Sequence, residues 1–108
     1  VGYGLLQFVD GLALLAQLDV HPDHGRKGLG TALIARIVEA AREHGAEFLY
    51  LTTFTHVAWN APFYAKLGFV EIPEAEQPRA IRDILAEEQA RGLENRTAMR
   101  LRLVLPPA

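Results

Sequence analysis

The first half of the chain shows two apolar patterns, one typical of strands and one of a helix. Apolar runs over Val1–Val9 and Leu12–Val20 predict two strands joined by a hairpin turn at Asp10-Gly11. A helix is predicted from about Leu29 to His44, since its apolar residues recur at helical spacing on one stripe. That stripe contains Leu29, Leu33, Ile34, Ile37, Val38 and Ala41. A buried third strand over Glu47–Thr53 then predicts a parallel pair with a right-handed crossover.

The second half predicts shorter elements. A helix begins near Asn60 and ends at Gly68, and the segments after it read as strand, acidic loop, helix and strand. The predicted ranges of these four segments are Phe69–Ile72, Pro73–Pro78, Ala80–Arg91 and Thr97–Leu105. Apolar and arginine residues alternate in the last of them, which indicates an antiparallel strand with one face in water. The predicted fold class is therefore α/β, with a mixed sheet flanked by helices.

The turn between the second strand and the first helix is the strongest candidate binding site. Its sequence is His24-Gly25-Arg26-Lys27-Gly28-Leu29-Gly30-Thr31. The first N–H groups of a helix lack partners within the helix, and its dipole adds positive charge there. Glycine lets a ligand approach the main chain, so the turn suggests a phosphate or pyrophosphate site. A solvated loop is an equally good interpretation of these residues taken alone.

Composition excludes several classes of site and partner. The 108 residues carry a formal net charge of −2, which gives no general attraction to nucleic acid or to an anionic membrane. The chain contains no cysteine, and its four histidines lack a metal-ligand spacing, so we expect no disulfide and no metal site. We expect a cytoplasmic location, because no apolar run could span a bilayer and no signal peptide is present.

A second motif connects the chain to a known family. The segment Trp59-Asn60-Ala61-Pro62-Phe63-Tyr64-Ala65-Lys66-Leu67-Gly68-Phe69 resembles the Asn-x-x-x-Tyr and Gly-Phe segment of the GNAT acetyltransferase superfamily. The glycine-containing turn is similar to that family's acetyl-coenzyme A signature, Gln/Arg-x-x-Gly-x-Gly/Ala. Residues 12–72 carry the resemblance. It implies a GNAT-like acyl-CoA N-acyltransferase fold over residues 1–108, a single domain, and transfer of acetyl from acetyl-CoA to a primary amine.

The resemblance also implies a role for each matching residue. Loop N–H groups from Arg26 to Thr31 would hold the pyrophosphate. The strand end Leu18–Val20 would pair with the pantetheine arm, and the N–H of Leu18 would polarise the thioester carbonyl. Asn60 would bond the cofactor arm, and Tyr64 would protonate the leaving thiolate. The implied cofactor-binding set is Leu18, Asp19, Val20, Arg26, Lys27, Gly28, Leu29, Gly30, Thr31 and Asn60, with Tyr64 as the catalytic residue.

Structural interpretations of two of these residues stay open. Asn60 is equally a helix N-cap, and it can hold both roles at once. Considered without the motif, a tyrosine at position 64 is more often a core residue, although the motif favours a catalytic role. The base that deprotonates the acceptor amine is not selected by the sequence, since Asp19, His21 and His56 are all candidates. The acceptor itself is not identified.

The sequence departs from the family pattern in two places. Gly25 stands where the family usually has Gln or Arg, with Arg26 one place later. The family's first strand, two helices and next strand have no counterpart, although those helices usually form one wall of the acceptor pocket. We therefore expect a partial, N-terminally truncated domain, consistent with a start at Val1 and a single methionine, Met99.

The absence of these N-terminal elements suggests an alternative function, a non-catalytic CoA-binding or interaction module. It also has a structural consequence. If residues 1–108 were the whole polypeptide, the long apolar first strand would lack a neighbour on one side, and we would expect a homodimer or aggregation.

Overall fold

The computed structural model describes residues 3–19, 29–55 and 61–103. The strands are β1 (Tyr3–Val9), β2 (Leu12–Asp19), β3 (Phe48–Phe54), β4 (Val70–Glu71) and β5 (Arg96–Arg102). The helices are α1 (Leu29–Glu43), α2 (Ala61–Lys66) and α3 (Arg79–Ala90), with a short 3₁₀ helix at Glu74–Glu76. The strands form a five-stranded sheet in the order β1-β2-β3-β5-β4. The predicted α/β class is confirmed.

The chain divides into two compact units, Val1–Leu49 with Arg102–Ala108, and Tyr50–Leu101. The first contains the hairpin of β1 and β2, together with α1. The second contains α2, β4, α3 and most of β3 and β5. The single domain expected over residues 1–108 stays a prediction.

The predicted hairpin turn is confirmed in the first unit. Asp10 and Gly11 have φ of 50° and 81°, the left-handed values that a two-residue type I′ turn requires at both central positions. The antiparallel register starts at Val9↔Leu12. It shifts further along, where Leu5 pairs with Gln17 and Leu6 with Leu15. Ala16 is the extra residue of this β-bulge, which the sequence did not predict.

Burial in the first unit is concentrated in the middle of β2 and on the predicted stripe of α1. Three consecutive residues of β2, Ala13, Leu14 and Leu15, are buried, as expected for a strand covered on both faces. On α1, the stripe residues Ile34, Ile37 and Ala41 are buried as well. The helix ends one residue before the predicted His44, and Gly45 follows it with φ of 78°.

The alternation predicted for the last strand holds in part: Met99 is buried and Arg102 is exposed, but the face predicted to be wet is covered at Ala98. Ala98 and Met99 are neighbours on β5, so their side chains point to opposite faces of the sheet, yet they are only 0% and 2% exposed. Both faces of the sheet are therefore covered at this point of β5, which lies between β3 and β4 in the strand order. β5 also ends at Arg102, short of the predicted Leu105, which lies outside the described residues. Its antiparallel pairing is confirmed by the register Val70↔Arg100 with β4.

Candidate functional site

The predicted cofactor-binding residues fall partly within the described structure. Leu18 and Asp19 end β2, and Leu29, Gly30 and Thr31 form the first turn of α1. Of these five, only the side chain of Thr31 is described, and it is exposed. The other predicted cofactor-binding residues, Val20, Arg26, Lys27, Gly28 and Asn60, lie outside the described residues, as do His21 and His56. The assignment of all these residues stays a prediction.

The predicted catalytic residue, Tyr64, lies on α2 with its ring enclosed by aromatic neighbours. It is 9% exposed. The ring of Phe69 meets it edge-on, with centroids 5.6 Å apart, and the ring of Phe63 does so at 5.3 Å. Such edge-to-face pairs stabilise a definite ring orientation. Among the described residues, no hydrogen-bond partner is found for the Tyr64 hydroxyl.

The backbone that follows Tyr64 holds it in place. Gly68 has φ of 101° and donates its N–H to the carbonyl oxygen of Ala65 at 3.1 Å. Phe69 donates to the carbonyl oxygen of Tyr64 at 3.1 Å. Together these two bonds form a Schellman motif, in which glycine supplies the left-handed residue and a hydrophobic contact joins its two ends. The spacing Tyr-x-x-x-Gly-Phe is therefore the sequence signature of a helix end that positions Tyr64.

Burial and charge act on Tyr64 in opposite directions. Burial raises its pKa above the ordinary value of 10.0, and the nearby positive charge of Arg96 lowers that pKa by a smaller amount. The phenol therefore stays protonated at neutral and mildly alkaline pH, which is the state that a proton donor requires.

A polar cluster in the same unit was not predicted from the sequence. Arg96 on β5 forms an ion pair with Glu88 on α3 at 3.1 Å, and these side chains are only 17% and 9% exposed. Thr52 of β3 donates a hydrogen bond to the same carboxylate at 2.9 Å. One signal was available: Glu88 lies seven, four and three residues after the inward-facing Ile81, Ile84 and Leu85 of α3, so it occupies the apolar stripe.

Residues 3–19, 29–55 and 61–103 bear on two further classes of site, metal centres and membrane-spanning helices. In these ranges, no group of three or more His, Cys, Asp or Glu residues could hold a metal ion. None of the helices in the same ranges has the length and apolarity needed to cross a membrane.

Solved structures show the same fold. N-acetylglutamate synthase from Neisseria gonorrhoeae, complexed with coenzyme A and N-acetyl-glutamate, superposes with a TM-score of 0.74 at 24% identity. That match covers 94% of this chain and 23% of the synthase. The ribosomal-protein-S18-alanine N-acetyltransferase from Escherichia coli has a TM-score of 0.69 at 25% identity, covering 98% of this chain and 63% of the enzyme.

Sequence comparison points the same way. An uncharacterised N-acetyltransferase, YobR of Bacillus subtilis (strain 168), is 32% identical over 71 residues. The aligned residues are 66% of this chain and 29% of YobR, so the chain matches less than a third of that relative's length. The sequence model of the Acetyltransferase (GNAT) family matches residues 1–69, which is more than half of the chain. The chain therefore belongs to the GNAT acetyltransferase family.

Proposed function

We propose that the chain is an N-acetyltransferase that moves an acetyl group from acetyl-CoA directly to a primary amine. The observation that carries the proposal is the setting of Tyr64, a buried, protonated phenol held by a glycine-dependent helix end. Family membership supports acetyl transfer, and the similar synthase from N. gonorrhoeae was solved with coenzyme A bound. The acceptor amine belongs to a small molecule or a protein.

In this mechanism the amine nitrogen attacks the carbonyl carbon of the thioester. The tetrahedral intermediate collapses with cleavage of the C–S bond, and the thiolate takes the proton of the Tyr64 hydroxyl. The proton lost by the amine goes to a base, for which Asp19, His21 and His56 are the candidates. Transfer from an unperturbed tyrosine to a thiolate is uphill by roughly 2 kcal/mol. Holding amine and thioester together supplies more than that, about 7 kcal/mol or more.

The cofactor would lie along the residues that match the family signature. The N–H groups from Arg26 to Thr31 hold the pyrophosphate, aided by the N-terminus of α1, which begins at Leu29. The strand end Leu18, Asp19 and Val20 pairs with the pantetheine arm, and Asn60 bonds it. Lys27 adds a positive charge at the phosphates, while Gly28 and Gly30 let them approach the main chain.

Two measurements on the chain test this function. Intact mass of an amine panel after incubation with acetyl-CoA reports transfer, and calorimetry reports CoA affinity. We expect acetylated product, and we expect the double variant Gly28→Val/Gly30→Val to lose CoA binding because side chains block the backbone approach. Gly25→Val is the matched control, since the family carries a side chain at that place. Unchanged affinity in the double variant would refute the loop site.

The alternative function is a non-catalytic CoA-binding or interaction module. It predicts CoA binding that depends on Gly28 and Gly30, with no acetylated product for any amine. The same two measurements therefore separate the two functions.

We also propose that the chain, on its own, associates into a homodimer through β1. This strand stands at one end of the strand order, and Leu5 and Phe8 on it are 42% and 47% exposed. An exposed apolar edge strand is a template for pairing with a second chain.

A further inference from the structure

We propose that two copies of the chain pair their β1 strands antiparallel, about a twofold axis that passes through Leu6. This inference rests on the homodimer proposed above and specifies which residues meet in it. In the proposed register, Leu6 lies opposite Leu6 of the second copy, and Gly4 lies opposite Phe8 of the second copy.

The hairpin determines which residues of β1 direct their backbone groups to the open side. Val9 and Leu12 flank the two-residue turn, so they form a hydrogen-bonded pair. Along an antiparallel ladder, such pairs alternate with pairs that are not hydrogen-bonded. The extra residue of the β-bulge lies on β2, so the alternation continues unbroken along β1. The residues of β1 whose N–H and C=O groups point away from β2 are therefore Gly4, Leu6 and Phe8.

The open edge of β1 lacks the features that commonly protect an edge strand. β1 stands at one end of the strand order, and no described strand pairs with its outer side. Its seven residues include no charged residue and no proline, which are two common protections against pairing. β4, at the other end of the order, has only two residues, and one of them is Glu71. β1 is therefore the edge of this sheet that is suited to pairing.

The symmetry of the outward-facing residues favours a second copy as the partner. A twofold axis at Leu6 pairs all of them, because Gly4 then meets Phe8 and Leu6 meets its own equivalent. A register shifted by two residues would leave either Phe8 or Gly4 without a partner on the other β1 strand. The same surface is used by both copies, so the contact closes at a dimer.

The side chains of this register are also complementary. Phe8 is 47% exposed, although its ring lies 5.2 Å from that of His44. Directly opposite residues of an antiparallel pair project to the same face, so Phe8 would lie beside Gly4 of the second copy. A glycine gives a strand no side chain to pack, and an aromatic residue on the neighbouring strand covers that gap. Pairing would thus bury exposed Phe8 surface without bringing like charges together.

Disulfide cross-linking reports the register directly, because the chain has no cysteine of its own. In the proposed register, the Cα atoms of the two Leu6 residues lie about 5.5 Å apart, within the range that a disulfide spans. We expect Leu6→Cys to form a cross-linked dimer under mild oxidation, measured on a non-reducing gel.

Two further cysteine variants provide matched controls. Gly4→Cys and Phe8→Cys should each fail to cross-link alone, since equivalent Cα atoms would be about 13 Å apart along the strands. An equimolar mixture of these two variants should cross-link, because Gly4 and Phe8 lie opposite each other. Efficient cross-linking of Gly4→Cys or Phe8→Cys alone would refute the register.

Proline at Leu6 tests whether the backbone of β1 makes the contact. The N–H of Leu6 points away from β2, so Leu6→Pro removes no hydrogen bond within the hairpin. Leu6→Ala is the matched control, since it also loses the side chain but keeps the N–H. We expect Leu6→Pro to weaken dimerisation at least about tenfold relative to Leu6→Ala, because each copy loses a hydrogen bond. Sedimentation measures dimerisation, and circular dichroism checks the fold.

The possible failures are distinguishable. If the chain is a dimer and Leu6→Cys does not cross-link, the register is wrong and the homodimer stands. If Leu6→Pro and Leu6→Ala dimerise equally, the pairing of β1 strands is wrong. A monomer at micromolar concentration would refute both the homodimer and this inference. None of the proposed site residues lies on β1, so these results do not change the proposed acetyl transfer.

Discussion

The backbone N–H of Phe69 donates to the carbonyl oxygen of Tyr64, and the rings of the same two residues meet edge to face at an interplanar angle of 66°. This pair of residues thus stabilises the C-terminal end of α2 through a main-chain hydrogen bond and through a side-chain contact. Because α2 has only six residues, it is too short to be stable by itself. The helix end is therefore what positions the proposed proton donor.

Removing the hydroxyl of Tyr64 tests its chemical role. We expect Tyr64→Phe to lower kcat by about a hundredfold or more while CoA affinity is unchanged, since the ring contacts remain and only the proton donor is lost. Steady-state kinetics and calorimetry measure the two quantities. Tyr50→Phe, a change at a second buried tyrosine, should keep its turnover. Full turnover of Tyr64→Phe between about pH 7 and 9 would assign Tyr64 to the core.

Stability at alkaline pH should depend on Tyr64. Its pKa is raised in the folded state above the ordinary 10.0, so the unfolded chain loses this proton first as the pH rises. The stabilisation is fully present below about pH 10 and is lost as the pH rises through the folded-state pKa. Urea unfolding between about pH 9 and 11 should show a steeper fall in the unmodified chain than in Tyr64→Phe. Equal slopes would contradict the raised pKa.

Gly68 should be more sensitive to substitution than another glycine that follows a helix. Both glycines have a positive φ, +101° at Gly68 and +88° at Gly92. A Cβ added at Gly68 would lie 3.2 Å from Cδ1 of Leu101, whereas a Cβ added at Gly92 would have nothing within 4 Å. We expect Gly92→Ala to cost about 1 kcal/mol from backbone strain alone, and Gly68→Ala to cost more. Denaturant unfolding measures both. A smaller loss for Gly68→Ala would show that Leu101 moves aside freely.

The buried ion pair should matter far more to stability than its exposed neighbour. Glu88→Ala leaves the partly buried Arg96 without its carboxylate, and we expect a loss of about 3 kcal/mol or more. The control is Glu87→Ala, because Glu87 meets Arg91 at 4.0 Å with both side chains more than 60% exposed, a pair worth less than about 1 kcal/mol. Similar losses in the two variants would mean that solvent screens the Glu88 pair as well.

Self-association should depend on the apolar side chains of β1. We expect light scattering at micromolar concentration to detect dimers or larger species of the chain, and Leu5→Lys to reduce them, because it removes exposed apolar surface from the edge strand. Gln7→Lys adds the same charge at an exposed polar position of β1 and controls for net charge. A clean monomer that acetylates an amine efficiently would show that the edge of β1 needs no partner.

Local patterns determined much of this fold. The Asp10-Gly11 turn, the buried stripe of α1 and the end of α2 at Gly68 were all predicted, since each depends on residues close together in the sequence. The family resemblance likewise followed from two short motifs, and the residues of the second, Tyr64, Gly68 and Phe69, form one local helix end.

Tertiary structure alone decided which predicted surfaces are buried and which charges meet. β5 alternates like a strand with one wet face, but both faces are covered around Ala98 and Met99, because what packs on the faces of a sheet is decided by distant parts of the chain. Arg96 and Thr52 are 44 residues apart in sequence, and their contact depends on strands and a helix brought together from distant segments. The hydrophobic periodicity and the composition of a segment reflect only the residues that are close together in the sequence. They carry no information on which strand becomes its neighbour, and so the sequence determined the elements and the family, while the fold determined the electrostatic setting of Tyr64.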